Sequence, residues 1–155
     1  MKFKNLVLII TFTLFSGCGY KIVDQNYFNE YRFVDTNVTG DKKIIYLLKN
    51  KLNIPNKNAS KSIKLDITTN KTKKIKEKNI QNEVTKYEIS INASVEFNVI
   101  EEDKSGKFII NKNGDFNVSD KYSGTLNNEK NLIKNLVNDI SEQILKNLNV
   151  KLDDL

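Results

Sequence analysis

The chain has 155 residues, a formal charge of +6, no histidine, one cysteine and one proline. A lone cysteine excludes an intramolecular disulfide. Without histidine, a Gly-rich phosphate loop or a metal-ligand cluster, no catalytic or cofactor-binding constellation stands out. The length suits one domain around one core, and the expectation is a protein that is not an enzyme and takes no cofactor.

The chain opens with Lys2 and Lys4, an apolar run from Leu6 to Phe15, and then Ser16-Gly17-Cys18. A basic start, a short greasy segment and small residues before a cleavage point form a secretory signal. The run is shorter than the ~17–25 residues that cross a bilayer. Ser16 and Gly17 give a peptidase access to the bond before Cys18, and the thiol is the natural acceptor for a palmitate-type lipid. Residues 1–17 therefore read as a cleaved lipoprotein signal peptide, with Cys18 as the lipidation site. Phe15 stands three residues before the cysteine, where a lipobox usually has Leu. Loss of Lys2 and Lys4 lowers the formal charge by two and leaves a mildly basic mature chain.

Residues 18–29 read as a polar tether, carrying Tyr27 and Phe28 as candidate partner anchors, and 18–155 as a single domain. Tyr31–Val34 is a first short strand of aromatic and β-branched residues, broken by Thr36 to Gly40. From Asp41 to Leu52 the period changes: Ile44, Ile45, Leu48 and Leu52 recur three or four apart, which predicts a three-turn amphipathic helix. Asp41 or Thr39 can cap it, and Pro55 stops it. Ile63, Leu65 and Ile67 alternate with polar residues and give a second strand.

Next comes the densest charge cluster in the chain, Lys71, Lys73, Lys74, Lys76 and Lys78 within eight residues. It reads as a ligand-facing loop at a strand end, or as a solvated loop or lysine-guarded edge strand. Tyr87 to Val99 is the clearest strand, seven apolar residues at alternate positions over roughly 43 Å. Glu101–Gly106 turns the chain into a returning strand from Phe108. That strand's pattern breaks at Asn111–Gly114, predicting a bulge or second turn near Gly114. Ser119–Asn128 is expected to be a loop, with Asn127 or Asn128 capping a helix of about 20 residues from Glu129 through Leu148. Tyr87 and Tyr122 read as core packing rather than as partner anchors. The order β-α-β-β-β-α predicts an α+β two-layer sandwich, two helices on one face of a roughly four-stranded sheet.

Cys18-Gly19-Tyr20, the Ile44–Leu52 helix, the Tyr87–Val99 strand, Tyr122 and the Leu132–Leu148 helix together resemble the LPS-assembly lipoprotein family LptE. The likeness covers essentially the whole mature chain and lies in the order of elements. The resemblance implies a lipid-anchored protein of the outer membrane, facing the periplasm, that binds the β-barrel translocon LptD, plugs its lumen and assists LPS assembly at the cell surface. Gly19 in place of Asp after the cysteine agrees with outer-membrane sorting. The five lysines would then meet phosphates of LPS as point charges. The alternative is an interaction lipoprotein of another envelope machine, a barrel-assembly accessory or a secretin pilot protein. An exported chain meets little nucleic acid, and its basic run lacks interleaved aromatics, so nucleic-acid binding is not expected.

Overall fold

The computed structural model describes residues 31–53 and 59–153; the signal segment, Cys18, the tether with Tyr27 and Phe28, and Pro55 lie outside the described residues. The elements are β1 (Tyr31–Thr39), α1 (Lys42–Leu52), β2 (Lys61–Lys78), β3 (Val84–Val99), β4 (Lys104–Asn117) and α2 (Tyr122–Asp153). The four strands form one sheet in the order β1-β2-β3-β4. β1 runs parallel to β2, which requires α1 as the crossover, and the two remaining pairings are antiparallel. The expected α+β sandwich with its β-α-β-β-β-α order is the architecture observed.

One face of the sheet is apolar because every strand alternates in phase. Rows such as Ile67, Val95 and Phe108, or Leu65 and Phe97, are aligned by the register and point to the helices. α1 adds Ile44, Leu48 and Leu52, all fully buried, and α2 adds Ile133, Val137, Ile140, Ile144 and Leu148. These residues form one continuous core.

Four expectations need correction. β1 does not stop at Thr36. Val34 bulges out of register, Thr36 and Val38 then pair with Leu65 and Ile67, and Val38 is buried. The lysine run is not a loop, because β2 continues to Lys78 along an unbroken partner strand. β4 has no turn at Gly114, which pairs directly with Ile89. A Cβ at position 114 would lie 2.7 Å from Leu132 Cδ1. The glycine lets the helix approach the strand instead of breaking it.

The fourth concerns the loop expected over Ser119–Asn128, most of which is helix, since α2 starts at Tyr122. Ser119 N–H donates to Thr125 Oγ1 at 2.9 Å, and the Gly124 and Thr125 amides donate to the Lys121 carbonyl. This local network starts the helix across residues of poor helix propensity. Asn128 is therefore no cap; its Nδ2 donates to the Asn117 carbonyl at 3.0 Å and ties α2 to the end of β4.

At the other helix start the expectation holds. Asp41 caps α1, its Oδ1 accepting from the Lys43 and Ile44 amides at 3.0 and 3.3 Å. The turn from β1 into this cap passes through Gly40 at φ +130°, where a Cβ would sit 2.4 Å from the Thr69 carbonyl oxygen. Both the torsion and the close approach require glycine. Gly40→Ala should therefore lower the unfolding free energy by roughly 2–5 kcal/mol, combining strain with overpacking. Urea denaturation of the soluble domain measures it.

Candidate functional site

Beyond Thr68, β2 has no β1 beside it, so Thr69–Lys78 is the free edge of an arm completed by Val84–Ala93 of β3 and, from Lys86 on, by β4. The five candidate lysines lie along this arm and its free edge, the arrangement of a lysine-guarded edge strand. The alternation of the strand prevents them from forming one cluster.

Lys71 and Lys73 point to the helix side. Lys71 Nζ lies 2.7 Å from Asp41 Oδ2, joining β2 to the capped end of α1. The Asp41 carboxyl is held below its ordinary range, chiefly by the hydrogen bond from Lys71, against a raising effect of burial, with further help from the Lys71 charge and the two α1 amides. Lys73 Nζ lies 2.7 Å from Glu129 Oε2 on α2. The same ammonium sits 4.4 Å from the Tyr87 ring centre and 5.0 Å from that of Phe116. Those two rings stack at 5.5 Å, and Tyr87 is part of the apolar packing as expected.

The other three lysines lie elsewhere. Lys76 follows the register break after Ile75 and pairs with Asp115, which raises the lysine pKa. Lys74 is exposed and stands opposite Glu88 in the ladder. Lys78 Nζ donates to Asn82 Oδ1 at 2.8 Å in the hairpin turn. Lys86 on β3 pairs in turn with Glu77 at 2.7 Å. Positive and negative groups thus alternate along the arm. Tyr122, expected in the core, is 77% exposed at the start of α2.

Two features were not singled out in the sequence. The first is the outer face of the sheet, which no described element covers. Its central rows are Thr68, Ser94 and Ile109, then Asn70, Asn92 and Asn111, then Thr72, Ser90 and Asn113. These side chains are uncharged and, apart from the exposed Ile109, short and polar, and Asn92 Nδ2 donates to Asn111 Oδ1 at 2.5 Å. Charges flank the rows, with Lys74, Glu88 and Asp115 at one end and Asp66, Glu96 and Lys107 at the other. The second is the hairpin tip, where Ile80 is 98% exposed. The alternating polar residues of β3 signalled the first, but the row becomes visible only when the register is known. Among the described residues no group of three or more His, Cys, Asp or Glu could hold a metal, and no helix is long and apolar enough to cross a membrane.

The arrangement offers extended polar surface rather than a reaction centre, and its shape can be set against known folds. Rare lipoprotein B from Shewanella oneidensis superposes with a TM-score of 0.55 at 15% identity, covering 79% of this chain and 98% of that one. A protein classed as a lipoprotein from Caulobacter crescentus gives 0.54 at 9% identity, covering 83% and 94%. This is a fold that bacterial lipoproteins share. No family model and no curated protein matches the sequence itself. Both solved chains are covered almost completely, so the likeness spans the whole of each of them.

The Asp41–Lys71 pair yields a pH dependence. Because the folded pKa of Asp41 is lowered, its contribution to stability is present above the ordinary carboxylate pKa and is lost as pH falls through the folded value. Asn caps a helix about as well as Asp, so Asp41→Asn removes the charge and keeps the cap. The stability gap between wild type and Asp41→Asn should be widest near about pH 7 and shrink toward about pH 3. Urea melts at the two pH values measure the gap; one that stays constant would show that the ion pair contributes nothing.

Proposed function

We propose that this protein is a non-catalytic, lipid-anchored assembly factor of the outer membrane that binds a β-barrel of the LptD type from the periplasmic side, plugs its lumen and assists LPS assembly. The reading is carried by the coincidence of two features: a lone cysteine placed directly behind a segment that reads as an export signal, and a domain fold shared with rare lipoprotein B. That fold has the element order on which the resemblance to the LptE family rests. Acylation at Cys18 would hold the domain at the inner leaflet and raise its effective concentration near a barrel in the same membrane.

The bare outer face supports the same reading. The interior wall of a large outer-membrane barrel is polar. A sheet face of uncharged amides and hydroxyls around one exposed isoleucine, Ile109, can hydrogen-bond such a wall without burying an unpaired charge, which would be costly. The mixed charges at its margins would remain at the wetter rim.

LPS contact belongs to the arm in this proposal, but not to all five lysines. Lys71 and Lys73 already hold the helices, so Lys74, Lys76 and Lys78 are the groups free to exchange surface partners for phosphate. Exposed ion pairs contribute only ~0–1 kcal/mol, so such an exchange costs little. Replacing Lys74, Lys76 and Lys78 with Gln should weaken LPS binding by the soluble domain at a nearly unchanged melting temperature. Replacing Lys71 and Lys73 should instead lower the melting temperature by a few degrees. Undiminished LPS binding in the triple variant would sink the electrostatic site.

The function itself is tested by affinity purification from detergent-solubilised outer membranes. A large barrel protein should be retained stoichiometrically, and depletion of the lipoprotein should block surface display of LPS. The Cys18→Ala form should keep its fold and leave the membrane fraction except where the barrel retains it. Recovery of a secretin or of barrel-assembly machinery in place of that barrel would favour the other envelope machines.

A further inference from the structure

We infer that the β2-β3 hairpin tip is a preformed docking knob, in which Ile80 enters a small apolar socket with a hydrogen-bonding rim on a folded protein partner. Ile80 is the most exposed of the large hydrophobic residues described, at 98%. An isolated apolar side chain on a mobile turn would be unremarkable at a protein surface. This turn is tied from several directions.

The Asn79 N–H donates to the Glu83 carbonyl at 2.9 Å, and the Asn82 N–H donates to the Asn79 carbonyl at 3.0 Å. Asn79 Oδ1 accepts from the Gln81 and Glu83 amides at 3.0 and 2.9 Å, while its Nδ2 donates to Glu83 Oε2 at 2.8 Å. Asn82 adopts φ +65°, a conformation that asparagine tolerates better than most residues, and its side chain accepts from Lys78. One asparagine side chain thus organises the turn beneath Ile80. The entropy of ordering the knob is spent on folding, before any partner arrives.

The chemistry around the knob selects a protein socket over a lipid surface. Ile80 is flanked by Asn79, Gln81 and Asn82, so lowering it among acyl chains would take three amide side chains and the turn backbone with it. A socket with a polar rim accepts the isoleucine and gives those amides partners, the usual anatomy of an interface anchor. Lys78 and Glu83 beside it have opposite signs and provide no net attraction to an anionic membrane. The position of the tip agrees. The chain enters the sheet at Tyr31, which pairs with Lys61 at the start of β2, and the tip follows the other end of that strand, about 60 Å away. The knob is therefore carried at the end of β2 opposite to the one that pairs with Tyr31.

This inference does not depend on which envelope machine supplies the partner. It is tested in the full-length lipidated protein in its own bacterium, with the photocrosslinker p-benzoylphenylalanine at position 81. Irradiation should give one protein adduct of discrete mass whose crosslinked peptide lines an apolar cavity. Ile80→Leu should retain the adduct, and Ile80→Asp and Ile80→Ser should each reduce it about tenfold or more, the loss expected when a buried aliphatic anchor is removed. The melting temperature should not change in any of them, because a side chain this exposed contributes little to the core. A lipid adduct, no adduct, or an adduct of equal yield in Ile80→Asp would overturn the proposal. If the barrel co-purifies while position 81 yields no protein adduct, the tip proposal fails and the proposed function stands. An Ile80-dependent adduct to a protein that is not a barrel has the opposite meaning.

Discussion

The antiparallel pairing of β2 with β3, from Ile63 opposite Val99 to Lys78 opposite Val84, is the constraint on which the other elements depend. It gives β1 and β4 an edge each, and it puts Ile63, Leu65 and Ile67 of β2 on one face with the alternate residues of β3 from Tyr87 to Val99. A slip of one residue would turn Ile63, Leu65 and Ile67 to solvent and bring Lys64, Asp66 and Thr68 under the helices. The register is therefore held by the whole core. Glu101 reinforces it from the far end, where Oε2 accepts from the Ser62 amide at 2.6 Å, a contact that lowers the carboxyl pKa and closes the β3-β4 turn onto the start of β2.

Magnitudes separate what stabilises the sandwich from what aligns it. Each fully buried aliphatic side chain contributes ~1.5–3 kcal/mol, and both helices insert several. The ion pairs of Lys71 with Asp41 and Lys73 with Glu129 are partly exposed, at ~0–1 kcal/mol each, and the contact of Lys73 with two rings adds about as much again. Apolar burial holds the helices on the sheet. The ion pairs reach each helix at a particular place, the cap of α1 and the early turns of α2, and so oppose sliding rather than separation.

The sequence was most legible where one periodicity answers to one buried face. β3 is central in the sheet, so its alternation is complete, and α1 has a cap and an apolar stripe in the expected places. Legibility failed where stability comes from a distant partner. The lysine run looks like a loop because nothing local favours a strand; β3 across the ladder, and carboxylates from α1, α2 and β4, make it one. Gly114 resembles a break until Leu132 is seen to need the space. The first turns of α2 use Ser, Gly and Thr, whose helical role rests on the Ser119–Thr125 hydrogen bonds. The candidate site suffered most, since five neighbouring lysines in sequence become two structural tethers and three surface groups.

That division follows from putting a charged segment into a strand at a sheet edge. Successive side chains must point to opposite faces, so a run of lysines cannot present all of its charge to one ligand. The inward-facing members need carboxylates from the covering layer, and once paired they belong to the fold. The outward-facing members lie beside a neutral polar face and alternate with acidic neighbours. What the arm exposes is thus a modest and patterned charge along an edge shielded against nonspecific strand pairing, ending in one rigid apolar residue. A surface of this kind suits recognition by shape and hydrogen bonding, with electrostatics adjusting the fit rather than driving it.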